Sequence, residues 1–557
     1  MTAGDVLRGS AEKRWTSWSS LRAERWLGAG AGIVVALLVL PPLLAAMTAS
    51  VGAEFAPLHR PDIVLNTLLL GVTTTMLAVA GGTGLALALV PGVPAKAMLE
   101  RLIVMPLYLT PLLTAIGWSW LASPRSGLVN LLLRNALGPD FAINVISASG
   151  VIVVSTLAVM PLPFLLVSDA LAGIDASLVE AARVHGAGPR TVLRRIVLPL
   201  LAPAALASAL LVFVQAVGLF SVPAVLGMPA DFNVATTEIF RLLESYPPRV
   251  GEAASWGLLL LAITALLTFG QSLLLGRRSF ATISGKGFRP STKPPRGRRS
   301  RATLAWLYVI LATVLPLLAL LWAASVSFVA GDLRLTRFST LHFDNVLFAY
   351  PKTWIAARNS TLLGVLTATI VCLLGLVVSW IILRTRQAGR GLIDQLSMVP
   401  LSVPAMVFAL GLLWVYVRLP LPIYGTLSIL LIAYVTHYLP FGVRAASAAL
   451  RQLHPELEEA ARIAGATWFG TMRRITLPLL RQTMIASWAL LFIMAMQEVS
   501  SSILLYSSSS IVLSVAVFDL WENGNPSDVA ALGFVQLAAS FVVVGLALRA
   551  RHQPSFS

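Results

Sequence analysis

Ionisable side chains are scarce in the apolar parts of this chain, so the few found there are the first candidates for chemistry. Glu498 follows Gln497 inside a long apolar run, with Ser500 two residues on. A carboxylate at membrane depth is costly, and it usually faces a cavity, a partner or a pathway. Carboxylate and hydroxyl oxygens suit a hard cation, and they also suit an amine. The equivalent of Glu498 in an earlier stretch is Leu219, with Gln215 one turn before it and Ser221 just after. Gln215, Ser221, Gln497, Glu498 and Ser500 are therefore the candidate pathway residues. The competing reading makes Glu498 a buried structural hydrogen-bonding group.

A second kind of chemistry, docking, is written in a polar segment that occurs twice. The first copy is Glu180-Ala181-Ala182-Arg183, then Gly186-Ala187, then Arg194-Arg195-Ile196 and Leu198-Pro199-Leu200-Leu201. The second is Glu459-Ala460-Ala461-Arg462, then Gly465-Ala466, then Arg473-Arg474-Ile475 and Leu477-Pro478-Leu479-Leu480. Over Glu180–Leu201 and Glu459–Leu480, 13 of 22 positions are identical. A close internal repeat decides the architecture. Glu-Ala-Ala-Arg favours helix, with Glu180–Arg183 and Glu459–Arg462 spaced for local pairing. Gly186 and Gly465 suit the helix end. Leu198-Pro199 and Leu477-Pro478 are expected to open the next apolar span. Each copy thus reads as a short polar helix, a turn and a return to the membrane, shaped to enter a groove on a partner.

The elements that position these groups follow from composition. The chain has 557 residues, 57% hydrophobic and 12% charged, with mean hydropathy +0.83. Soluble chains carry about 25% charged residues. Continuous apolar runs long enough to cross a bilayer recur, and their continuity excludes a β-barrel. The fold class is an all-α polytopic membrane protein of about twelve spans. Six are expected near 28–50, 62–91, 98–121, 143–171, 197–226 and 253–276. Six more are expected near 303–328, 357–384, 392–417, 422–448, 476–506 and 528–549. The domains are a basic tail (1–27), a first six-helix module (28–276), a basic linker (277–302) and a second module (303–550). Asn66-Thr67 and Asn359-Ser360 open matching spans, and Phe213 matches Phe492. Gly127–Ala136 reads as a helix on the membrane surface.

Net charge is +17, and the charges flank the spans. That pattern marks cytoplasmic loops, so nucleic acid is not an expected partner. Both termini, the linker and both copies of the repeat then fall on the cytoplasmic side. The first apolar run reads as a retained span, not a cleaved leader. The single cysteine, Cys372, allows neither an intramolecular disulfide nor a cysteine metal site. No G-x-x-x-x-G-K-[ST] phosphate loop, H-E-x-x-H or nucleophile elbow occurs, so no catalytic or metal residues are assigned.

Glu-Ala-Ala, three residues, Gly, nine residues, Ile, one residue and Leu-Pro resembles the signature of the permease subunits of bacterial binding-protein-dependent ABC importers. Both copies carry it: Glu180, Ala181, Ala182, Gly186, Ile196, Leu198 and Pro199, and Glu459, Ala460, Ala461, Gly465, Ile475, Leu477 and Pro478. The resemblance implies a type I importer fold with two permeases fused in one chain. It implies that Glu180, Ala181, Ala182, Gly186, Glu459, Ala460, Ala461 and Gly465 form coupling helices inserted into two copies of a cytoplasmic ATPase. ATP and Mg would belong to that subunit, and no cofactor is expected in this chain. A periplasmic or lipid-anchored solute-binding protein would dock from outside, and the bacterial inner membrane supplies the lipid. Phe220–Gly227 with Thr236–Phe240, and Glu498-Val-Ser500 with Leu513–Val515 and Asp519–Gly524, are most similar to the fused permeases of ferric iron importers. Thiamine and aminoethylphosphonate permeases have similar layouts. Competing classes are an ion-gradient-driven secondary transporter and a channel or scaffold.

Overall fold

The computed structural model describes residues 18–50, 52, 54–124, 126–137, 142–275, 297–326 and 338–551. Most of the basic tail and of the linker lies outside the described residues. The described chain is helical, with no strand and one isolated bridge between Val326 and Phe338.

The first half contains α1 (Trp18–Ala49), α2 (Pro61–Ala88), α3 (Lys96–Val104), α4 (Pro111–Ala122), α5 (Leu128–Leu137), α6 (Ala148–Val159), α7 (Pro161–Ala172), α8 (Ala176–Val184), α9 (Leu198–Gly218), α10 (Ala235–Glu244) and α11 (Val250–Leu275). The second contains α12 (Arg298–Val309), α13 (Leu315–Ser325), α14 (Lys352–Arg384), α15 (Arg390–Met398), α16 (Ala405–Arg418), α17 (Leu427–Arg451), α18 (Pro455–Ile463), α19 (Leu477–Met496), α20 (Leu513–Glu522) and α21 (Pro526–Arg551). Among the described residues nine helices are long and apolar enough to cross a bilayer, and three bent pairs raise that to twelve.

Three expectations about the spans need correction. The third and ninth are not straight helices. Lys96–Tyr108 meets Pro111–Ala122 at 98°, and Arg390–Ser402 meets Ala405–Arg418 at 106°. Proline has no N–H to continue a helix, and the residue before it is pushed to extended backbone. At the first break Thr110 is extended, and its hydroxyl accepts from the Leu113 N–H at 2.9 Å. Second, the fifth and eleventh spans do not open at Leu198-Pro199 and Leu477-Pro478. Each begins upstream, at Pro189 and Trp468, and runs unbroken to Gly218 and Met496. A π turn at Leu193–Val197 and another at Met472–Thr476 lie inside them. The wider turn admits the proline ring within a continuing helix. Third, these spans end short of the expected residues 226 and 506, because the chain breaks at Leu219 and Gln497.

Matched packing relates the halves. Phe213 and Val217 close over Gly71, as Phe492 and Met496 close over Gly364. The first span of each half packs on the other half. In α1, Pro42 meets Gly411 of α16, and Pro316 of α13 meets Gly117 of α4. A Cβ at Gly411 would lie 1.9 Å from the Pro42 carbonyl oxygen, and one at Gly117 would lie 2.7 Å from that of Pro316. One buried core therefore runs continuously through both halves.

Backbone cannot retreat as a side chain can, so Gly411→Leu must push α1 off α16. Overpacking costs about 1–3 kcal/mol. Thermal unfolding of the purified chain is expected to show a clear fall for Gly411→Leu and for Gly117→Leu. Gly545→Leu, where a Cβ meets nothing within 4 Å, should behave as the native chain does. Equal melting of all three would refute the exchanged packing.

Candidate coupling helices and translocation site

The repeated segment folds as its residues demand. The Asp175 carboxylate accepts from the Ser177 N–H at 2.9 Å and caps α8. The Ser177 amide, and then its hydroxyl, hold the Asp175 carboxyl below its ordinary range. At the other end Gly186 adopts φ +79°, and in the second copy Gly465 adopts φ +84°. The Ala187 N–H donates to the Ala182 carbonyl at 2.9 Å, and Ala466 to Ala461 at 3.0 Å. These bonds close the helix end around a left-handed residue that glycine adopts without strain. A Cβ at either glycine would meet nothing within 4 Å, so only backbone geometry restricts the position. Glu180, Ala181, Glu459, Ala460 and both glycines are exposed, Ala182 is half-buried and Ala461 is buried. Glu180 forms no ion pair with Arg183 among the described residues, contrary to the spacing argument. The side chain of Arg462 lies outside them.

The opposite end of α9 and α19 holds the second feature. After Gly218 the chain is extended at Leu219, and after Met496 it turns at Gln497 and Glu498. The carbonyls freed by each break need donors, because an unpaired backbone group in an apolar setting is expensive. A short helix from the same half supplies them. Thr236 of α10 donates to the Leu219 carbonyl at 2.9 Å, and Ser514 of α20 donates to the Glu498 carbonyl at 2.7 Å. The second span of each half holds these short helices by their N-termini. Asn66 Nδ2 donates to the Asn233 carbonyl at 3.1 Å, and the Ala235 N–H donates to Thr67 Oγ1 at 2.9 Å. In the second half Asn359 Nδ2 donates to the Ser509 and Ile511 carbonyls, and the Leu513 N–H donates to Ser360 Oγ at 2.7 Å. The sequence match of these pairs was visible, but their task was not.

Between the short helices, Phe240 and Phe518 meet edge to face at 5.8 Å. Phe220 lies 5.2 Å from Phe240 and 5.3 Å from Phe518. All three rings are buried, so one aromatic from each short helix closes the space between the halves. Sequence reasoning missed Phe240 and Phe518 as a pair, although they hold equivalent places in α10 and α20.

Glu498 is half-buried at its break and fully occupied. Tyr438 donates to Oε2 at 2.6 Å, while the Ser501 N–H and hydroxyl reach Oε1 at 3.0 and 3.1 Å. Ser502 donates to the Glu498 carbonyl at 2.8 Å and lies 2.6 Å from the Tyr434 hydroxyl. Gln497 and Ser500 lie beside this network, and Gln497 Nε2 is buried without a partner. Gln215 is exposed on α9, and Ser221 is buried next to Phe220. No hydrogen bond joins Gln215 or Ser221 to Glu498 among the described residues. Tyr434 and Tyr438 were missed in the sequence, where their spacing reads as one more apolar stripe.

Beyond the Phe240–Phe518 contact, Asp519 accepts from Tyr350 at 2.9 Å and Lys352 at 3.0 Å. Partial burial, then Glu244 across from it and Asp519 beside it, raise the Glu522 carboxyl above its ordinary 4.5. Folding therefore penalises the ionised form. The penalty is absent below pH 4.5 and grows as pH rises through the raised value. Glu522→Gln is expected to raise the melting temperature relative to the native chain at pH 7, and the gain should shrink towards pH 4.5. A gain independent of pH would exclude repulsion as its cause.

The sequence is similar to known membrane components of transport systems. A family model described as the binding-protein-dependent transport system inner membrane component matches residues 80–280 and again 372–556. A ferric transport system permease protein of Actinobacillus pleuropneumoniae is 25% identical over 447 residues, covering 79% of this chain and 64% of its own length. This chain thus spans about two-thirds of that relative. An Fe(3+)-transport system permease protein of Haemophilus influenzae is 28% identical over 493 residues, covering 87% of this chain and 88% of its own. A chain of Salmonella typhimurium assigned to 2-aminoethylphosphonate transport is 30% identical over 253 residues, 45% of this chain and 93% of its own. With the family's unit matched once in each half, between them most of the chain, this multi-pass membrane protein belongs to the inner membrane components of binding-protein-dependent transport systems, as a permease with two such units fused.

Proposed function

We propose that the chain is the membrane pathway of an ATP-driven importer working by alternating access. Two copies of a cytoplasmic ABC ATPase seat α8 and α18 in their clefts, and ATP and Mg belong to those subunits. A periplasmic or lipid-anchored binding protein delivers solute over α10 and α20, and both termini of the chain are cytoplasmic. The observation that carries the reading is the pairing of two glycine-ended polar helices at one end with two matched breaks at the other. The long helices α9 and α19 join each pair, so displacement at one end reaches the Phe240–Phe518 seal.

Ferric iron is the substrate the reading favours. The relatives named for ferric transport align along most of the chain, whereas the aminoethylphosphonate relative aligns with less than half. A carboxylate and phenols at the break are oxygen donors suited to a hard cation, which must displace the bonds now made to Glu498.

The test is reconstitution with an ATPase and a binding protein encoded beside this chain. Ferric-loaded binding protein should stimulate ATP hydrolysis, and thiamine- or aminoethylphosphonate-loaded protein should not. Stimulation by either of those solutes would replace iron as the substrate. Uptake that needs no ATPase and collapses with an uncoupler would replace the importer reading. Gly186→Val and Gly465→Val force a side chain into the left-handed region at roughly 1–2 kcal/mol each. Each is expected to weaken ATPase association and uptake by about tenfold, with the spans still folded by circular dichroism. Unchanged association would remove the docking role.

A further inference from the structure

The two polar helices match in backbone, yet among the described residues only the second is tied to the membrane helices by polar side chains. Glu458 is 6% exposed, although Glu456, Leu457 and Glu459 around it face out. Its Oε2 accepts from Trp380 Nε1 at 3.2 Å, and its Oε1 accepts from Thr476 Oγ1 at 3.3 Å. Arg384 Nε stands 3.8 Å from the same carboxylate. The Arg384 guanidinium also donates to the Leu450 and Leu453 carbonyls, at 3.0 and 2.7 Å, closing the end of α17. Trp380 in turn meets Trp468 edge on at 5.4 Å. Trp380 therefore touches groups on both sides of the Gly465 turn. One carboxylate joins α18 to α14, to α17 through Arg384, and to the π turn that leads into α19.

At the corresponding places in the first half stand Val179, Leu87, Pro91, Val197 and Pro189. None of these side chains can donate or accept a hydrogen bond. The side-chain bonds of α8 among the described residues are local, Asp175 to Ser177 and His185 to Ala181. Buried ion pairs add little net stability, and their best-attested use is to fix one geometry.

We infer that Glu458 is a positioning residue that makes α18 move as one body with α14, α17 and α19, whereas no such polar tie binds α8 to its half among the described residues. The inference rests on the reading that α8 and α18 receive a moving partner. Transmission through the two halves is then unequal, and the second carries the tighter link.

The first measurement needs no ATPase. Spin labels at Glu456→Cys and Arg386→Cys, in a Cys372→Ala background, report the distance from α18 to the end of α14. The distribution should be narrow in the native chain and broad in Glu458→Ala, with Glu458→Gln between them. Labels at Leu178→Cys and Pro94→Cys should give a broader distribution in the first half that Val179→Ala leaves unchanged. A narrow second-half distribution in Glu458→Ala overturns the inference, whatever the partner. The second measurement uses the full complex. Uptake per ATP hydrolysed should fall about fivefold or more in Glu458→Ala, with the amount of co-purified ATPase unchanged and Val179→Ala normal. An unchanged ratio overturns the transmission role, and loss of ATPase association would make Glu458 a docking residue instead.

Discussion

Everything at the far end of the molecule depends on two carbonyl oxygens. Where α9 and α19 stop, Leu219 and Glu498 carry carbonyls that no helix satisfies, in a place where water is not freely available. Thr236 and Ser514 satisfy them. That requirement holds α10 and α20 against the breaks, and it brings Phe240 and Phe518 into contact. The N-termini of the two short helices have the same need, met by Asn66 and Thr67 on one side and by Asn359 and Ser360 on the other. The seal between the halves thus follows from backbone hydrogen bonding at membrane depth. The aromatic rings occupy a geometry that the hydroxyls and amides have already set.

The symmetry is incomplete, and two of the departures fall beside the matched motifs of the second half. Leu219 has no side-chain function at its break, whereas Glu498 gathers Tyr438 and Ser501 around its carboxylate. Val179 offers no polar group where Glu458 gathers Trp380, Thr476 and Arg384. The first half has its own buried carboxylate, Glu238, paired with Arg241 on α10 at 2.8 Å, so the two copies share a backbone plan and differ in where they place charge. Glu458 and Glu498 both stand next to a matched motif, so each can act on an element common to both halves.

Legibility in the sequence followed the range of the interaction. The polar repeat, the glycine ends and most span positions were readable, because helix ends and hydropathy are properties of neighbours in the chain. The bends at Thr110-Pro111 and Val403-Pro404 were signalled by proline but hidden under unbroken apolarity. The π turns that carry Pro199 and Pro478 inside continuous helices ran against a sound rule about proline and helix starts. Glu498 was found because it is charged, and its partners were not, because Tyr434 and Tyr438 look like any apolar stripe until α17 is placed beside α19. The exchange of α1 and α13 between halves could not be read at all. Gly117 and Gly411 announce a close approach, but a glycine does not name the backbone that comes near it.

That exchange limits how the halves can move. Pro42 lies against Gly411 and Pro316 against Gly117, each backbone to backbone, and one core runs through both halves. Opening at the aromatic seal must either leave these contacts intact or lose a large apolar surface. Close-packed interiors tolerate small shifts poorly and change between discrete arrangements. A rocking of the two halves that keeps α1 on α16 and α13 on α4 meets this condition, and outright separation does not. The exchanged helices lie outside the breaks and the polar helices alike, so under the alternating-access mechanism proposed above they would act as bearings that fix which movements of α8 and α18 can reach Phe240 and Phe518.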